Sequence, residues 1–492
     1  MPATTKKPPA LSGRAREWGA LTRFYELPDE GARLGVVYGR RRQGKTFMLD
    51  LLAHGTGGFM FTAAQQSSAQ NLQMLGAAYA EYLGLADPVR FATWQAAFDA
   101  LLRLGERRDE PTLVVLDEFP FLLDTEPSLA SLLQIAIGPT ERAFRKGRAR
   151  LILCGSALTT MRSLLVGTAP LRGRAVLELI VPPFTFREAA EFWDLVADPE
   201  VAFRVHALLG GTPAYKAMSG GVPSREDFDQ WVAGGLLDPA SALFREGNVL
   251  LYEQPGLADP GLYFSVLGAV ADGAAKRSEI AGILQRPDAA LAHPLTVLEE
   301  LQLVTRSEDA LRGRRPVYRL AEPVIRFHQL VIRPREAVLA ARGGLRVWRD
   351  VADTITSKVY GPHLEDLVRE WVLAHAGATT LGGIANQARS AVVACVEHRA
   401  GHEIDVVAIE DLPGSARKVL AIGEAKATEK PVGDGELARL DHLRELLPPS
   451  TASTQVRLLL FSRSGFTKEL TESAGHREDV ELIDLDRLYQ GE

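Results

Sequence analysis

The stretch Gly39-Arg-Arg-Arg-Gln-Gly44-Lys45-Thr46 follows an apolar run at 34–38 and precedes a helix-forming run at 47–53. Its spacing, G-x-x-x-x-G-K-T between a strand and a helix, is that of a P-loop. The glycines let backbone N–H groups surround a phosphate, and the helix N-terminus adds a favourable dipole. The alternative, a glycine-containing surface turn with a chance lysine, fits these flanks less well.

The loop predicts ATP and Mg²⁺ as cofactors. Lys45 is expected to contact β- and γ-phosphate oxygens, and the Thr46 hydroxyl to bind Mg²⁺. The predicted nucleotide-binding residues are Gly39, Arg40, Arg41, Arg42, Gln43, Gly44, Lys45 and Thr46.

A second apolar run, at 113–116, ends in the acid pair Asp117-Glu118. Such a run predicts a buried parallel strand that places both acids at its carboxyl end, where ligands bind in open α/β sheets. We expect Asp117 to hold the magnesium and its water shell, and Glu118 to orient the attacking water. The alternative, an acid pair at a helix N-terminus, is weakened by Pro111 before the run and Pro120 after it.

Length and composition limit the remaining possibilities. A chain of 492 residues is expected to form about two to four domains. The net charge of -6 gives no support for nucleic-acid binding by the chain as a whole. Cys154 and Cys395 lie in separate segments, which predicts neither a disulfide framework nor a Cys-ligated metal site. With no apolar run long enough to span a bilayer and a polar N-terminus, the prediction is a cytoplasmic protein without a membrane partner.

Strands alternate with helices through the first 200 residues, which predicts a parallel sheet. Ser156 follows the strand-like run Arg150-Leu-Ile-Leu-Cys-Gly155 and therefore falls at a strand tip. There it would act either as a sensor that contacts the γ-phosphate or the attacking water, or as the N-cap of the next helix. The sequence leaves both interpretations open.

These motifs together resemble the archaeal-type ATPases, AAA+/STAND-related P-loop proteins that carry a winged helix and a C-terminal DUF234 domain. The resemblance rests on 39–46, Asp117-Glu118, Gly155-Ser156-Ala, Pro170-Leu-Arg-Gly-Arg174 and Gly210-Gly-Thr-Pro-Ala-Tyr215, in the family's order. It implies that Arg172 or Arg174 completes a nucleotide site, although both equally suit a solvated surface. It also implies that Gly211-Thr-Pro213 is a lid turn that reports on bound nucleotide, with a plain interhelical turn as the alternative.

Three short helical patterns at 263–271, 276–284 and 294–303, then a hairpin at 304–306 and 317–320, have the order of a winged helix-turn-helix. One interpretation is DNA binding by the third helix, with the basic tip 312–315 on the backbone. Glu299 and Glu300 on that helix disfavour phosphate contact, so a lid that packs on the ATPase is the other interpretation.

The C-terminal segment contains an amphipathic helix with Glu365, a strand with Asp405 and a further strand with Glu424 and Lys426. Side chains alternate along a strand, so Glu424 and Lys426 are expected on one side. The pattern resembles PD-(D/E)xK nucleases, to which DUF234 domains are regarded as similar. The resemblance implies Mg²⁺ binding by Asp405 and Glu424 with Glu365 as an outer ligand, and a catalytic Lys426. A surface hairpin with solvated charges is the alternative.

The predicted fold class is α/β: a P-loop NTPase parallel sheet, then a winged helix-turn-helix, then an α/β PD-(D/E)xK-like domain. The expected boundaries are a disordered leader at 1–13, an ATPase domain at 14–220, a helical lid at 221–260, a winged helix at 261–322, a connector at 323–349 and a nuclease-like domain at 350–492. Predicted metal ligands are Thr46, Asp117, Glu365, Asp405 and Glu424, and predicted catalytic residues are Glu118, Lys426, Ser156 and Arg174.

The predicted function is Mg-dependent ATP hydrolysis coupled to a nuclease-like, DNA-processing domain. The alternative is a nucleotide-dependent switch whose nuclease fold is degenerate and only binds a partner. DNA as a partner and assembly into a homo-oligomer stay open, and the sequence names neither the nucleic-acid substrate nor the pathway.

Overall fold

The computed structural model describes residues 5–28, 31–138, 140–141, 147–252, 259–313, 316–448 and 452–492. The chain divides into two compact units. The first contains the residues up to Phe184 together with the turn Thr212–Ala214, and the second contains Thr185–Gly211 and Tyr215–Glu492.

The first unit is built on a parallel five-stranded sheet with the strand order β2-β3-β4-β1-β5. Alternate residues of β3 face two different cores. Val114 and Leu116 pack into one core, whereas Leu113 and Val115 pack into the other. A sheet that is covered on both faces explains why its strands read as continuous apolar runs. The strands are β1 Arg33–Tyr38, β2 Phe59–Thr62, β3 Thr112–Asp117, β4 Ala149–Gly155 and β5 Ala175–Ile180.

Local signals set the ends of the helices that cover this sheet. Ser67 and Gln70 form a capping box at the start of one helix, and Gly84, with φ 67°, ends it. The helices are Ala15–Tyr25, Lys45–Thr56, Ser68–Leu83, Trp94–Arg103, the 3₁₀ turn Leu104–Glu106, Phe119–Thr125, Leu129–Ala136 and Leu158–Ser163.

The N-terminal segment differs from the disordered leader expected at 1–13. Leu11 is buried in the core that contains Trp18, and the Trp18 indole N–H donates to the Thr5 carbonyl at 2.8 Å. A buried apolar side chain stabilises residues 5–13, which composition alone does not show. Residues 1–4 lie outside the described residues.

The second unit begins with a helical region. Its helices are Phe186–Phe192, Pro199–Leu209, Ala214–Met218, Phe228–Trp231, the π-helix Val232–Leu236, Ala242–Tyr252, Pro260–Ala271, Arg277–Leu284, the 3₁₀ turn Asp288–Leu291, Ala292–Glu300, Pro323–Phe327, the π-helix His328–Ile332, the 3₁₀ turn Arg333–Arg335, Glu336–Arg342, Gly344–Asp350, Ala352–Thr354 and the π-helix Ile355–Tyr360. The helix Ala214–Met218 begins in the turn that clusters with the first unit.

The segment expected to form a winged helix contains three helices followed by an antiparallel hairpin, β6 Val304–Glu308 with β7 Pro316–Leu320. The elements lie close to the positions that the sequence pattern predicts. Residues 314–315 of the expected basic tip lie outside the described residues. Its role as a winged helix stays a prediction.

The C-terminal part contains a mixed five-stranded sheet with the order β12-β11-β10-β9-β8. β8, β9 and β10 pair antiparallel, whereas β10, β11 and β12 pair parallel. The strands are β8 Gln387–Cys395, β9 Ala400–Glu410, β10 Lys418–Lys426, β11 Ala452–Ser462 and β12 Val480–Ile483, and the helices are Gly361–Ala374, Ala378–Leu381, Asp434–Glu445, Lys468–Gly475 and Leu485–Gln490. Within the described ranges, no helix combines the length and the apolar character needed to cross a bilayer.

Candidate functional site

The loop 39–46 connects β1 to the helix that begins at Lys45. Gly44 adopts φ 80°, a left-handed conformation that favours glycine. At Gly39 a Cβ atom would lie 2.4 Å from the Val181 carbonyl oxygen, so the loop requires glycine there. The Lys45 ammonium donates to the carbonyls of Gly39 and Arg40 at 2.9 and 2.8 Å. Burial lowers the pKa of Lys45, against the opposing charges of Glu118 and Asp117.

Asp117 lies at the carboxyl end of β3, directly beside this loop. The Thr46 hydroxyl donates to Asp117 Oδ2 at 2.7 Å, and the backbone N–H of Glu118 donates to Oδ1 at 2.9 Å. The carboxylate is 1% exposed, so both of its oxygens are held in fixed positions. A hydroxyl and a carboxylate at a helix N-terminus are the hard oxygen ligands that Mg²⁺ prefers, so these residues fit a Mg²⁺–nucleotide complex.

Glu118 has a left-handed backbone conformation with φ 49°, which is uncommon for a residue other than glycine. The Ser156 hydroxyl donates to Glu118 Oε1 at 3.1 Å. The helix that follows, Leu158–Ser163, has Ala157 at its N-cap and no side-chain cap, so Ser156 does not cap it. The N-cap interpretation of Ser156 is therefore wrong, and its role as a sensor of the γ-phosphate or the attacking water stays a prediction.

Arg172 and Arg174 lie away from this cluster. Ala175 pairs with Leu34 and Ile180 with Tyr38, so β5 runs parallel to β1. It therefore starts at the end of the strands opposite the P-loop. Six residue steps of about 3.3 Å separate Arg174 from Ile180, so Arg174 lies ~20 Å along the strand from the end that carries the P-loop, too far for its side chain to reach it. Arg172 is exposed and donates to the Gly167 carbonyl at 2.7 Å. Along this strand Arg174 does not reach the P-loop, and a role for Arg172 in the nucleotide site stays a prediction.

Two further contacts to the P-loop come from distant segments. Gln43 Nε2 donates to the Thr212 hydroxyl at 3.0 Å, and both residues are buried. The guanidinium of buried Arg14 donates to the Gln43 carbonyl at 3.0 Å. Thr212 belongs to the predicted lid turn, but Arg14 carries no motif that could have identified it from the sequence.

The second set of predicted residues lies on the C-terminal sheet, where β9 contains a bulge. Arg389 pairs with Val407 and Ala391 with Ile404, so Asp405 and Val406 together oppose one residue of β8. Bulges redirect side chains and are frequent beside active sites. Here Asp405 Oδ2 accepts from the Ala425 backbone N–H at 2.9 Å, which brings Asp405 next to Glu424.

Glu424 and Lys426 extend to the same side of β10, and Lys426 Nζ donates to Glu424 Oε1 at 2.9 Å. The other oxygen of Glu424 forms an ion pair with Arg439 on the helix Asp434–Glu445. Lys426 is also 3.3 Å from a carboxylate oxygen of Glu436. Buried Glu424 is therefore neutralised by two cations, of which only Lys426 was expected.

Glu365 lies in the same neighbourhood, 3.6 Å from Arg369 and 3.8 Å from Arg319. Burial raises the pKa of Glu365. Burial, with the charges of Glu424 and Glu365, raises the pKa of Asp405 to about 8. The charges of Glu424 and Glu365 thus disfavour an ionised Asp405.

These acids suit a hard cation by ligand type but are not gathered around one point. Among the residues that the structure describes, the group of three or more ligand atoms within 4.8 Å of one another contains cysteine and histidine, not these acids. Three arginines, at 319, 369 and 439, were missed. Arg319 and Arg439 lie on other elements, whereas Arg369 lies one turn after Glu365 on the same helix and no motif marks it. Together with Lys426 they supply the positive charge that balances these acids.

Among the comparisons with known proteins, the likeness to a Walker-type ATPase of known structure agrees with this fold. No family model matches the chain. An uncharacterized protein of Methanocaldococcus jannaschii is 23% identical over 307 residues, which cover 61% of this chain and 64% of that protein. A Walker-type ATPase of Pyrococcus abyssi superimposes with a TM-score of 0.52 at 19% identity, over 67% of this chain and 98% of its own. The ORC2 protein of Aeropyrum pernix, in ADPNP–ADP complexes, gives a TM-score of 0.43 at 19% identity, over 68% of this chain and 96% of its own.

At these identities the likeness concerns the fold alone. The chain has the α/β fold of the Walker-type P-loop ATPases, followed by a separate C-terminal domain with a mixed sheet.

Proposed function

We propose that the first unit binds Mg-ATP and hydrolyses it. The observation that carries this proposal is the continuous set of contacts from Thr46 through Asp117 and Glu118 to Ser156, at the sheet edge where the P-loop ends. Ligands bind at this edge in open parallel sheets. The fold shared with a Walker-type ATPase supports the same conclusion.

Each residue has a defined part in the proposed reaction. Bound Mg²⁺ offsets the charge of the β- and γ-phosphates. Thr46 and Asp117 hold the cation, and Lys45 donates to phosphate oxygens from the helix N-terminus. Glu118 orients the attacking water, and the Ser156 hydroxyl fixes the direction of the Glu118 carboxylate.

The turn at Thr212 supports a role as a nucleotide-dependent switch. Because Gln43 lies within the P-loop, a change in the loop on binding or hydrolysis reaches the turn through the Gln43–Thr212 hydrogen bond. The turn is joined on both sides to helices of the second unit. We infer that it reports nucleotide state, as the resemblance implies for Gly211-Thr-Pro213.

Lys45→Ala and Glu118→Gln test the ATPase proposal. Lys45→Ala is expected to abolish nucleotide binding, since it removes the cation aimed at the phosphates. Glu118→Gln is expected to retain binding and to lose most turnover. Binding of a fluorescent ATP analogue and phosphate release measure the two effects, with exposed Lys468→Ala as control. Unchanged binding and turnover in Lys45→Ala would refute the proposal.

The C-terminal domain has a second candidate function, metal-dependent cleavage of nucleic acid controlled by the nucleotide. It is favoured by Asp405, Glu424 and Lys426 at adjoining positions of two paired strands. In this mechanism Asp405 and Glu424 hold the cation, Glu365 is an outer ligand, and Lys426 positions the attacking water. The ion pair between Arg439 and Glu424 must open before Glu424 can bind a cation.

The alternative is a switch that uses this domain and the three-helix segment only to hold DNA or another partner.

Arg174 lies at the end of the parallel strands opposite the P-loop. It would contribute to a nucleotide site only from a neighbouring subunit of a homo-oligomer, as arginine fingers do when supplied in trans.

Cleavage of a mixed DNA and RNA panel with Mg²⁺, with and without ATP, separates the two functions. Cleavage that needs ATP and is lost in Glu424→Ala, but not in exposed Glu469→Ala, would establish a nucleotide-coupled nuclease. No cleavage across the panel, with ATP turnover intact, would establish the non-nucleolytic switch.

A further inference from the structure

A group of four side chains lies at the far end of the C-terminal sheet, outside the sites described above. Cys395 is the last residue of β8, His398 lies in the turn that follows, and His402 is the third residue of β9. His442 comes from the helix Asp434–Glu445. One ligand atom from each of the four lies within 4.8 Å of the other three.

The separations within this group have the size of a metal coordination shell. Cys395 Sγ is 3.3 Å from His398 Nδ1 and 3.4 Å from His442 Nε2. His398 Nδ1 is 3.2 Å from His402 Nε2. With Zn–N bonds of about 2.0–2.1 Å and a Zn–S bond of about 2.3 Å, the edges of a tetrahedral site measure ~3.3–3.6 Å. The distances of 3.2, 3.3 and 3.4 Å lie close to these edges.

Hydrogen bonding alone explains the arrangement of these four side chains less well than a shared metal ion does. His398 Nδ1 faces both the sulfur and His402 Nε2, and a single N–H cannot point at both. The three rings also stand close to perpendicular, with interplanar angles of 90°, 81° and 82°. A central cation accepts one lone pair from each of the four groups and satisfies them together.

We propose that Cys395, His398, His402 and His442 bind one zinc ion. The sequence spacing Cys-x₂-His-x₃-His is short enough for a hairpin to supply three ligands, and the helix supplies the fourth. One thiolate and three imidazoles are ligands that zinc prefers. The expectation that the chain contains no Cys-ligated metal site considered only the two cysteines, which are far apart. It overlooked histidines brought to Cys395 by the fold.

Four protein ligands complete a tetrahedral shell, which is the pattern of a structural zinc site and not of a catalytic one. The ion would join the tip of the β8–β9 hairpin to the helix Asp434–Glu445. That helix also carries Arg439, whose guanidinium pairs with Glu424 and donates to the Glu403 carbonyl at 3.0 Å. The zinc therefore fixes the element that neutralises Glu424. This proposal does not depend on ATPase or nuclease activity.

Zinc content of the full-length protein tests the proposal. Protein purified without a histidine tag is incubated with a small excess of ZnCl₂, freed of loose metal, and analysed by elemental mass spectrometry. We expect one zinc per chain in the unaltered protein and in His476→Ala, which changes an exposed histidine of the same domain. In His398→Ala and His442→Ala, competition with a chelator is expected to show affinity lower by about 100-fold or more, since lost ligands cost at least as much as lost supporting contacts.

Cobalt substitution identifies the thiolate. The Co²⁺ protein is expected to show a sulfur-to-cobalt charge-transfer band together with the strong visible bands of a four-coordinate centre. Cys395→Ser should remove the charge-transfer band, and His476→Ala should keep it. Because Cys395 is buried, its variant can misfold, so exposed His398 supplies the independent test, with circular dichroism to confirm folding. Less than equimolar zinc in the unaltered protein, or equal zinc affinity in folded His398→Ala, would overturn the proposal.

Discussion

Glu118 shows how much one residue depends on neighbours that are distant in sequence. Its backbone is left-handed, with φ 49°, and the hydroxyl of Ser156 donates to its carboxylate at 3.1 Å. Strained conformations of this kind persist where the surrounding structure holds them, often at functional sites. The orientation of Glu118 is therefore a property of β3 and β4 together.

Ser156→Ala tests this orientation. The variant removes the hydrogen bond to Glu118 but none of the groups that contact phosphate or Mg²⁺. ATP turnover is expected to fall by about tenfold, equivalent to about 1.4 kcal/mol, with little change in nucleotide affinity. Steady-state phosphate release and titration with a fluorescent analogue measure both. Exposed Ser163→Ala is the control, and unchanged turnover in Ser156→Ala would contradict the assigned role.

Glu370 is a second residue whose environment changes its chemistry. Burial, together with Glu188 and Asp366, raises its pKa to about 7. Among the residues that the structure describes, its Oε1 atom has no hydrogen-bond partner. The folded protein therefore keeps a proton on Glu370 at a pH where the unfolded chain has lost it. It follows that stability decreases as the pH rises from about 4.5 to about 7 and stays lower above that window.

Glu370→Gln should reduce this loss. At pH 8 the variant is expected to be more stable than the unaltered protein by about 1–3 kcal/mol, with a smaller difference at pH 5. Chemical denaturation at the two pH values measures the effect. Exposed Glu226→Gln should behave like the unaltered protein at both. An equal difference at pH 5 and pH 8 would show that Glu370 does not titrate in this window.

At the scale of elements, the turn Thr212–Ala214 and the P-loop form one structural pair. Thr212→Val keeps the shape of the side chain but leaves Gln43 Nε2 buried without its acceptor, at a cost of about 1–3 kcal/mol. We expect the affinities for ATP and ADP to become more alike, because without this hydrogen bond a change in the P-loop no longer alters the turn. Equilibrium binding of both nucleotides measures this. Exposed Thr125→Val should preserve the difference, and a preserved difference in Thr212→Val would exclude the turn as reporter.

In the C-terminal sheet, the bulge in β9 is the local feature that determines which side chains lie together. Side-chain alternation places Glu424 and Lys426 on the same side of β10. The bulge at Asp405 and Val406 determines where Asp405 of β9 lies relative to them. The helix Asp434–Glu445 then adds Arg439 to the acids and His442 to the cysteine and histidine group. A single helix thus links the acidic site to the proposed zinc site.

At the scale of the whole molecule, each unit buries cores of its own. Ligands of one unit are therefore expected to stabilise that unit selectively. Mg-ATP should raise one thermal transition and zinc another, and Lys45→Ala should remove the first shift but not the second. At a ligand concentration of 100 times Kd the stabilisation is about 2.7 kcal/mol. Differential scanning calorimetry with His442→Ala as the reciprocal variant measures both. Loss of both shifts in Lys45→Ala would refute the independence of the two effects.

The sequence by itself determined the parts of the protein whose signals are local. The P-loop, the strand that ends in Asp117 and the strand that carries Glu424 and Lys426 each follow from a few consecutive residues. Backbone geometry and side-chain alternation act over such short spans, so the α/β fold with its parallel sheet was predictable. The packing of Leu11 was not, because it depends on contact with the core that contains Trp18 and not on a motif.

The tertiary structure alone decided which residues meet. Arg174 has the residue type and the sequence position expected of an arginine that completes a nucleotide site. However, it precedes β5, at the end of the parallel strands opposite the P-loop. Arg439 reaches Glu424, and His442 reaches Cys395, from a helix that no local pattern connects to them. Contacts between distant segments depend on strand order, register and helix packing, which are properties of the folded chain. For that reason the sequence revealed the P-loop, whereas the proposed zinc site became visible only in the fold.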